Sequence, residues 1–331
     1  MIKNLPHICF IGCGAIAAKH AKILKSLYPK INISFASRDI KNSQKYCKKY
    51  KGVSAFGTYE DAVNSKDIDI IFITTPHAYH CDIAIAAANA GKDIIIEKPV
   101  TRNTAELQKV LAAVKKNKVR CTVAENYMYK PVIKKLLNFI NNGIIGEVLM
   151  IKINRTHKNE VTGWRTDKVL MGGGALLEGG VHWINFLNTL AQSQVHEVLA
   201  VKPDIQYNTN VPFEDTLSLN VKYQNGICAD LLYSWSIPNP FKGLSYSKIY
   251  GTEGIINFET NGLYFSVYGK KCKRFLNVSD FLGFKAMHKA FIEDYINDRP
   301  WQPDMNRIAI ELQMVEKAYL SLKSKKFEII E

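Results

Sequence analysis

The stretch His7-Ile8-Cys9-Phe10-Ile11-Gly12-Cys13-Gly14-Ala15-Ile16-Ala17 decides how this chain begins to fold. A short apolar run bounded by glycine reads as a buried strand, and the residues after it carry a helical pattern through Tyr28. Between them stands GxGxxA. In a strand–turn–helix unit the first glycine allows a tight turn, the second lets backbone amides approach a pyrophosphate, and Ala17 keeps the helix close to the strand. The phosphates belong at the helix N-terminus, where unpaired N–H groups and the helix dipole favour an anion. Gly12, Gly14, Ala15 and Ile16 are therefore expected to bind a dinucleotide.

Outward from that loop, strand-like runs near 7–11, 31–36, 53–56, 68–74, 93–96 and 119–124 alternate with helical patterns near 15–28, 41–50, 77–90 and 103–117. Such alternation specifies a doubly wound parallel sheet with helices on both faces. In the strand order of a dinucleotide fold, the first and fourth strands flank the switch point. The Gly12 loop then lies near Thr74-Thr75-Pro76-His77, and the fifth strand, ending in Ile94-Ile95-Ile96-Glu97-Lys98-Pro99, delivers Lys98 beside them.

Past residue 125 the pattern changes. Runs near 147–156, 195–202, 215–222, 227–235, 246–250, 255–259 and 263–268 are β-rich, with turn signals at Asn225-Gly226 and Asn261-Gly262. They imply a large, open, mainly antiparallel sheet. Helices are expected near 280–297 and 304–323, packing back on the first domain. The domains are drawn as 1–124, binding the dinucleotide, and 125–331, binding the substrate and mediating oligomerisation.

Composition narrows the class. A chain of 331 residues exceeds the usual size of a single core. The net charge of +14 raises a nucleic-acid reading, but the lysines are scattered in short groups on helix faces, without an aromatic-interleaved basic stripe. No nucleic-acid or membrane partner is expected. Cys9, Cys13, Cys47, Cys81, Cys121, Cys228 and Cys272 form no CxxC and read as reduced thiols; with no leader-like start, a cytoplasmic location is expected. His77, His80 and Cys81 lack a distant partner at ligand-like spacing, so no metal is assigned.

Taken in order, the GxGxxA loop, Thr75-Pro76-His77 with His80, Glu97-Lys98-Pro99, Glu125-Asn126-Tyr127, Gly143-Ile144-Ile145-Gly146-Glu147, Trp164-Arg165 and the segment Gly172 to His182 resemble the Gfo/Idh/MocA oxidoreductases. The resemblance spans nearly the whole chain. It implies a Rossmann domain followed by an α/β domain on an open sheet, bound NAD or NADP, a sugar, inositol or nucleotide-sugar substrate, and a homodimer or homotetramer formed through the sheet. It places Thr75, Pro76, His77, His80, Glu97, Lys98 and Asn126 at the dinucleotide and Tyr127, Trp164 and Arg165 at the substrate. It also implies a cis Lys98–Pro99 bond.

If Gly172-Gly173-Gly174-Ala175-Leu176-Leu177-Glu178-Gly179-Gly180-Val181-His182 is helical, Glu178 and His182 stand at i and i+4 on one face. Glycines inside a helix cost about 1 kcal/mol each relative to alanine, which implies that a ligand or another backbone comes close. Oxidising a secondary alcohol needs a base for the hydroxyl proton and a hydride acceptor. His182 is expected to be that base, with Lys98 orienting the same oxygen and Glu178 completing the set.

Two departures from the family pattern stand out. Glu178 replaces the usual Asp, and Met128 stands where Arg is frequent. Cofactor choice turns on Ser37-Arg38-Asp39: an acidic side chain at the end of the second strand holds the ribose hydroxyl of NAD, whereas Arg accommodates the phosphate of NADP. Ser37 occupies the acidic position and Arg38 follows, so NADP is favoured; Asp39 keeps NAD open. The expected activity is hydride transfer between nicotinamide and a sugar-like alcohol or ketone. The alternatives are a dihydrodiol dehydrogenase- or biliverdin reductase-like reductase and a non-catalytic dinucleotide sensor.

Overall fold

The structure is a computed structural model and describes residues 4–239, 244–270, 272–276 and 280–331. The chain divides into two compact units, Met1–Glu125 with Phe284–Ala309, and Asn126–Gly283 with Ile310–Glu331.

The first unit is built on a six-stranded parallel sheet of order β3-β2-β1-β4-β5-β6. Its strands are β1 (His7–Ile11), β2 (Asn32–Ala36), β3 (Ala55–Phe56), β4 (Ile70–Ile73), β5 (Asp93–Ile96) and β6 (Cys121–Val123). All residues of β1 and β4 are buried, as a strand covered by helices on both faces requires. Phe10 stacks on Phe35 of β2 and Phe72 of β4, so the three central strands share one aromatic layer. The helices α1 (Ala15–Leu27), α2 (Ile40–Tyr50), α4 (His80–Asn89) and α5 (Thr104–Asn117) fall where the periodicity puts them. The helix α3 (Tyr59–Asn64) was not anticipated. It is six residues long, too short for a periodic signature, and starts on a Thr58 side chain that accepts the Asp61 amide. The pattern near 77–90 resolves into a 3₁₀ turn, His77–Tyr79, followed by α4. The Lys98–Pro99 bond is cis, as the resemblance implied. From the end of the chain, α9 (Phe284–Ile296) belongs to this unit.

The second unit carries a nine-stranded sheet of order β14-β13-β12-β11-β7-β10-β9-β8-β15. Its strands are β7 (Val148–Thr156), β8 (Val195–Val201), β9 (Thr216–Tyr223), β10 (Cys228–Ser234), β11 (Tyr246–Gly251), β12 (Gly254–Glu259), β13 (Tyr264–Tyr268), β14 (Lys273–Leu276) and β15 (Glu328–Ile329). The sheet is mostly antiparallel, with β10 and β7 paired in parallel at its centre. The two edge strands β14 and β15 were not anticipated; both are short and mostly exposed, so neither carries an apolar alternation. Also unanticipated were α6 (Pro131–Asn141) and the short α7 (Lys168–Met171). The helix α8 (Val181–Ala191) packs on β7 and β10 and buries Trp183, Ile184, Phe186, Leu187 and Leu190. The helix α10 (Met305–Ser324) runs through the unit boundary at Ala309, and its Leu312, Met314, Val315 and Ala318 are buried. Among the described residues, no helix is long and apolar enough to cross a membrane.

Candidate active site

In the first unit the nucleotide loop is shaped by its contact with β4. A β-carbon on Gly12 would stand 2.9 Å from the backbone of Thr74, and Gly12 has a φ of +101°, so glycine is required on both counts. Thr74 ties the two strand ends together: its hydroxyl donates to the carbonyls of Ile11 (3.0 Å) and Gly12 (2.7 Å). The space in front of Gly14, by contrast, is open, with nothing among the described residues within 4 Å of an added β-carbon. Gly14 is the N-cap of α1 and offers no side-chain cap, and the first turn of α1 carries no acidic residue. Thr75 Oγ1 is buried without a hydrogen-bond partner among the described residues. Uncapped helix amides, open space before the second glycine and an orphaned hydroxyl fit a bound pyrophosphate-containing dinucleotide.

Ser37 follows β2 directly, and its amide donates to the Phe56 carbonyl. Asp39 is the N-cap of α2, where its side chain accepts the amide of Lys41 at 3.0 Å. Arg38 is exposed; its guanidinium donates to the Tyr79 hydroxyl at 3.3 Å and lies over the Tyr79 ring. A cation supported on an aromatic face at the end of the second strand suits a phosphate oxygen.

His80 is fully buried, with Nδ1 2.9 Å from the carbonyl of Pro99 and Nε2 3.0 Å from that of Thr75. It ties these two backbone segments together. Burial pushes its pKa down, partly offset by those carbonyls. His77 is also buried. Glu97 is buried just beyond β5, and one of its oxygens accepts the amide of the half-buried Lys98 at 3.1 Å.

The second unit collects the other candidates. The helix expected across Gly172–His182 starts only at Ala175: Gly172 is the left-handed C-cap of α7, Gly173 and Gly174 are not helical, and Leu176–Gly180 winds as a π turn before α8 begins at Val181. Such a turn is common at functional sites. His182 is buried and stacks on Tyr127 with centroids 4.2 Å apart and an 8° interplanar angle. Glu178 pairs with Arg165, Nε to Oε1 at 3.1 Å, and Arg165 lies over the Trp164 ring. Asn126 is tied to the carbonyl of Leu282 at 2.6 Å. Met128 lies in the 3₁₀ turn Asn126–Tyr129, next to Tyr127.

Several members of this cluster escaped the sequence reading. Lys130 is almost fully buried, its ammonium 3.7 Å from the centre of the Tyr127 ring and 5.1 Å from that of Trp183. The Tyr127 ring therefore touches both a buried cation and the candidate base. Tyr233, on β10, brings its hydroxyl against Gly179. Burial, then the charge of Glu178, raises the Tyr233 pKa well above its ordinary value. Burial and Arg155 push His157 down to about 4, with Glu178 opposing. Glu214 accepts the Leu176 amide and the Tyr319 hydroxyl, both at 3.0 Å, and burial raises its pKa to about 7. Lys130 follows Tyr127 by three residues, whereas Tyr233, His157 and Glu214 reach the site from separate strands and loops that no local pattern links. Among the described residues, no group of three or more His, Cys, Asp or Glu side chains is arranged to hold a metal.

Residues 7–125 match the family model described as "Oxidoreductase family, NAD-binding Rossmann fold", and residues 133–257 match the GFO/IDH/MocA C-terminal domain. The chain belongs to the Gfo/Idh/MocA family. Among its relatives in this family, trans-1,2-dihydrobenzene-1,2-diol dehydrogenase of Mus musculus is 24% identical over 255 residues, covering 75% of this chain and 73% of the relative. Oxidoreductase P35 of Formosa agariphila is 28% identical over 260 residues, covering 75% and 77%. Of the solved structures, levoglucosan dehydrogenase in complex with NADH and levoglucosan superimposes with a TM-score of 0.88 at 19% identity, over 99% of this chain and 100% of that one. That likeness shows a shared fold.

Proposed function

We propose that the protein is an NAD(P)-dependent dehydrogenase or reductase acting on a sugar-like alcohol or ketone, with His182 as acid–base and Lys98 orienting the reacting oxygen. The observation that carries this reading is the stacking of the buried His182 on Tyr127, one helical turn from the Glu178–Arg165 pair. An imidazole held flat on an aromatic ring keeps one orientation, as a base that must meet a particular hydroxyl requires.

Hydride acceptance and donation are the chemistry a nicotinamide dinucleotide supplies when bound. The chain's own residues do the rest. The neutral His182 imidazole removes the hydroxyl proton as a carbonyl forms, and returns it in the reverse direction. Proton transfer by a positioned group contributes about 10²–10⁴-fold. The Lys98 ammonium donates to the same oxygen and stabilises the charge developing on it. Glu178, with Arg165, supplies an acceptor and donors for the neighbouring hydroxyls of a polyol, and Trp164 offers an apolar face to its ring carbons, while Tyr127, covered by His182 and Lys130, backs the base. Arg38 favours NADP, since Asp39 is engaged as the cap of α2. The second unit is the substrate-binding half, and its sheet, which exposes Leu149, Val201 and Tyr246, is the surface for self-association.

A second reading is supported by the mouse relative's name: a dihydrodiol as the alcohol oxidised. It needs the same proton and hydride steps. Turnover of a panel of polyols, sugars, nucleotide sugars and a trans-dihydrodiol with both dinucleotides, followed by nicotinamide absorbance, tests the assignment. Dinucleotide binding without turnover of any hydroxyl or carbonyl compound would favour a sensor instead.

A further inference from the structure

Two buried histidines of the first unit have no part in the proposed reaction. His20, on α1, and His288, on α9, are 0% and 1% exposed. His20 Nδ1 lies 2.8 Å from His288 Nε2, and His20 Nε2 lies 2.6 Å from Glu97 Oε1. The other oxygen of Glu97 accepts the Lys98 amide at 3.1 Å. Phe72 and Phe284 pack against the His20 ring, with centroids 4.6 and 5.4 Å away. The result is an unbroken buried chain from α9 to the backbone of Lys98.

We propose that His288 is a positioning residue: through His20 it fixes the carboxylate of Glu97, and through that carboxylate it fixes the backbone at Lys98. A carboxylate turns easily about its terminal torsion unless both oxygens are held. In Glu97 one oxygen is held by the Lys98 amide and the other by His20. An ionised carboxylate only accepts hydrogen bonds, so Nε2 of His20 carries the proton in that contact. Phe72 and Phe284 hold the plane of the His20 ring, and His288, donating to Nδ1, fixes the tautomer that keeps the proton on Nε2. The arrangement resembles the outer partners that orient a metal-bound histidine, transferred to a lysine. The bland alternative is three buried polar groups that merely satisfy one another. That alternative ties no consequence to the Lys98 amide.

The test is amide and imidazole NMR on the full chain, labelled with nitrogen-15 and free of added ligand. In the wild type, the His20 Nε2 proton is expected far downfield. His288→Leu is expected to speed exchange of the Lys98 amide about tenfold, while the β1 amides keep their rates. His288→Gln, whose side chain retains an N–H donor, is expected to bring Lys98 exchange back toward wild type. An unchanged Lys98 rate in folded His288→Leu, or a change no larger than in β1, would overturn the proposal. Should His288→Leu not fold, His288→Gln and His288→Asn decide, because the shorter amide does not reach His20; equal Lys98 exchange in the two also overturns it. Any consequence for turnover rests on the role proposed for Lys98. The exchange measurement needs no substrate, so a fully active Lys98→Ala enzyme would remove the catalytic role of Lys98 and leave the histidine chain standing.

Discussion

The hydroxyl of Tyr233 fills the space that a β-carbon on Gly179 would need. The glycine in the π turn is thus explained by a neighbour from β10, and the turn that carries Glu178 is held against the sheet. Overpacking a core position costs typically about 1–3 kcal/mol. Gly179→Ala is expected to lose stability in that range, even though alanine is the better helix former. In a Tyr233→Phe background the loss should shrink, since the hydroxyl is the nearest atom. Denaturant midpoints of the two single variants and the double variant measure this, and strictly additive losses would show that the pair does not interact.

A pH dependence follows from Glu214. Its folded-state pKa, raised by burial from 4.5 to about 7, lies above the unfolded value. The folded protein therefore holds this proton where the unfolded chain has released it. Stability from this group is greatest below about pH 4.5 and declines as pH rises to about 7, by roughly 2–3 kcal/mol. Glu214→Gln removes the titration, so its unfolding free energy should fall less over that window. Parallel pH profiles for wild type and variant would count against the assignment.

Arg38 rests on Tyr79 at the end of β2, while Asp39 is committed to capping α2. Arg38→Ala should weaken NADP by about tenfold or more, as loss of a charge-assisted contact implies, and leave NAD within about twofold. Fluorescence titration of both reduced dinucleotides separates the cases. Equal loss for both would take cofactor choice away from Arg38.

Lys98→Ala and His182→Ala should each lower turnover by at least about a hundredfold, with dinucleotide affinity changed no more than a few-fold. Both side chains are assigned to the reacting oxygen and neither to the phosphates. Turnover at the wild-type rate in either variant would remove that residue from the mechanism. Rates under substrate saturation, together with dinucleotide titrations, provide the two readings.

Much of the fold was legible because it rests on local patterns. Buried parallel strands are nearly all apolar, as in β1 and β4, and the helices between them are long enough to show a period. Apart from α6, whose buried Val132, Ile133, Leu136 and Phe139 do follow a helical period, the elements that escaped are those without such a pattern. The edge strands β14 and β15 are short and bury no residue fully, α3 has six residues and α7 has four. The segment carrying His182 was readable as helix, but not its π winding or the contact of Gly179 with Tyr233, which no short-range pattern marks.

By itself the sequence determined the dinucleotide loop, the parallel order that places Gly12 beside Thr74, and the family, because turn chemistry and strand burial are set by residues close together in the chain. Only the tertiary structure decided what surrounds the candidate groups. Lys130 against Trp183, Glu214 at the start of the π turn and His288 behind His20 each cross a long stretch of sequence. A buried polar group must find a partner somewhere, but nothing in its own neighbourhood says where. That choice is made by packing, once the sheets have brought distant segments together.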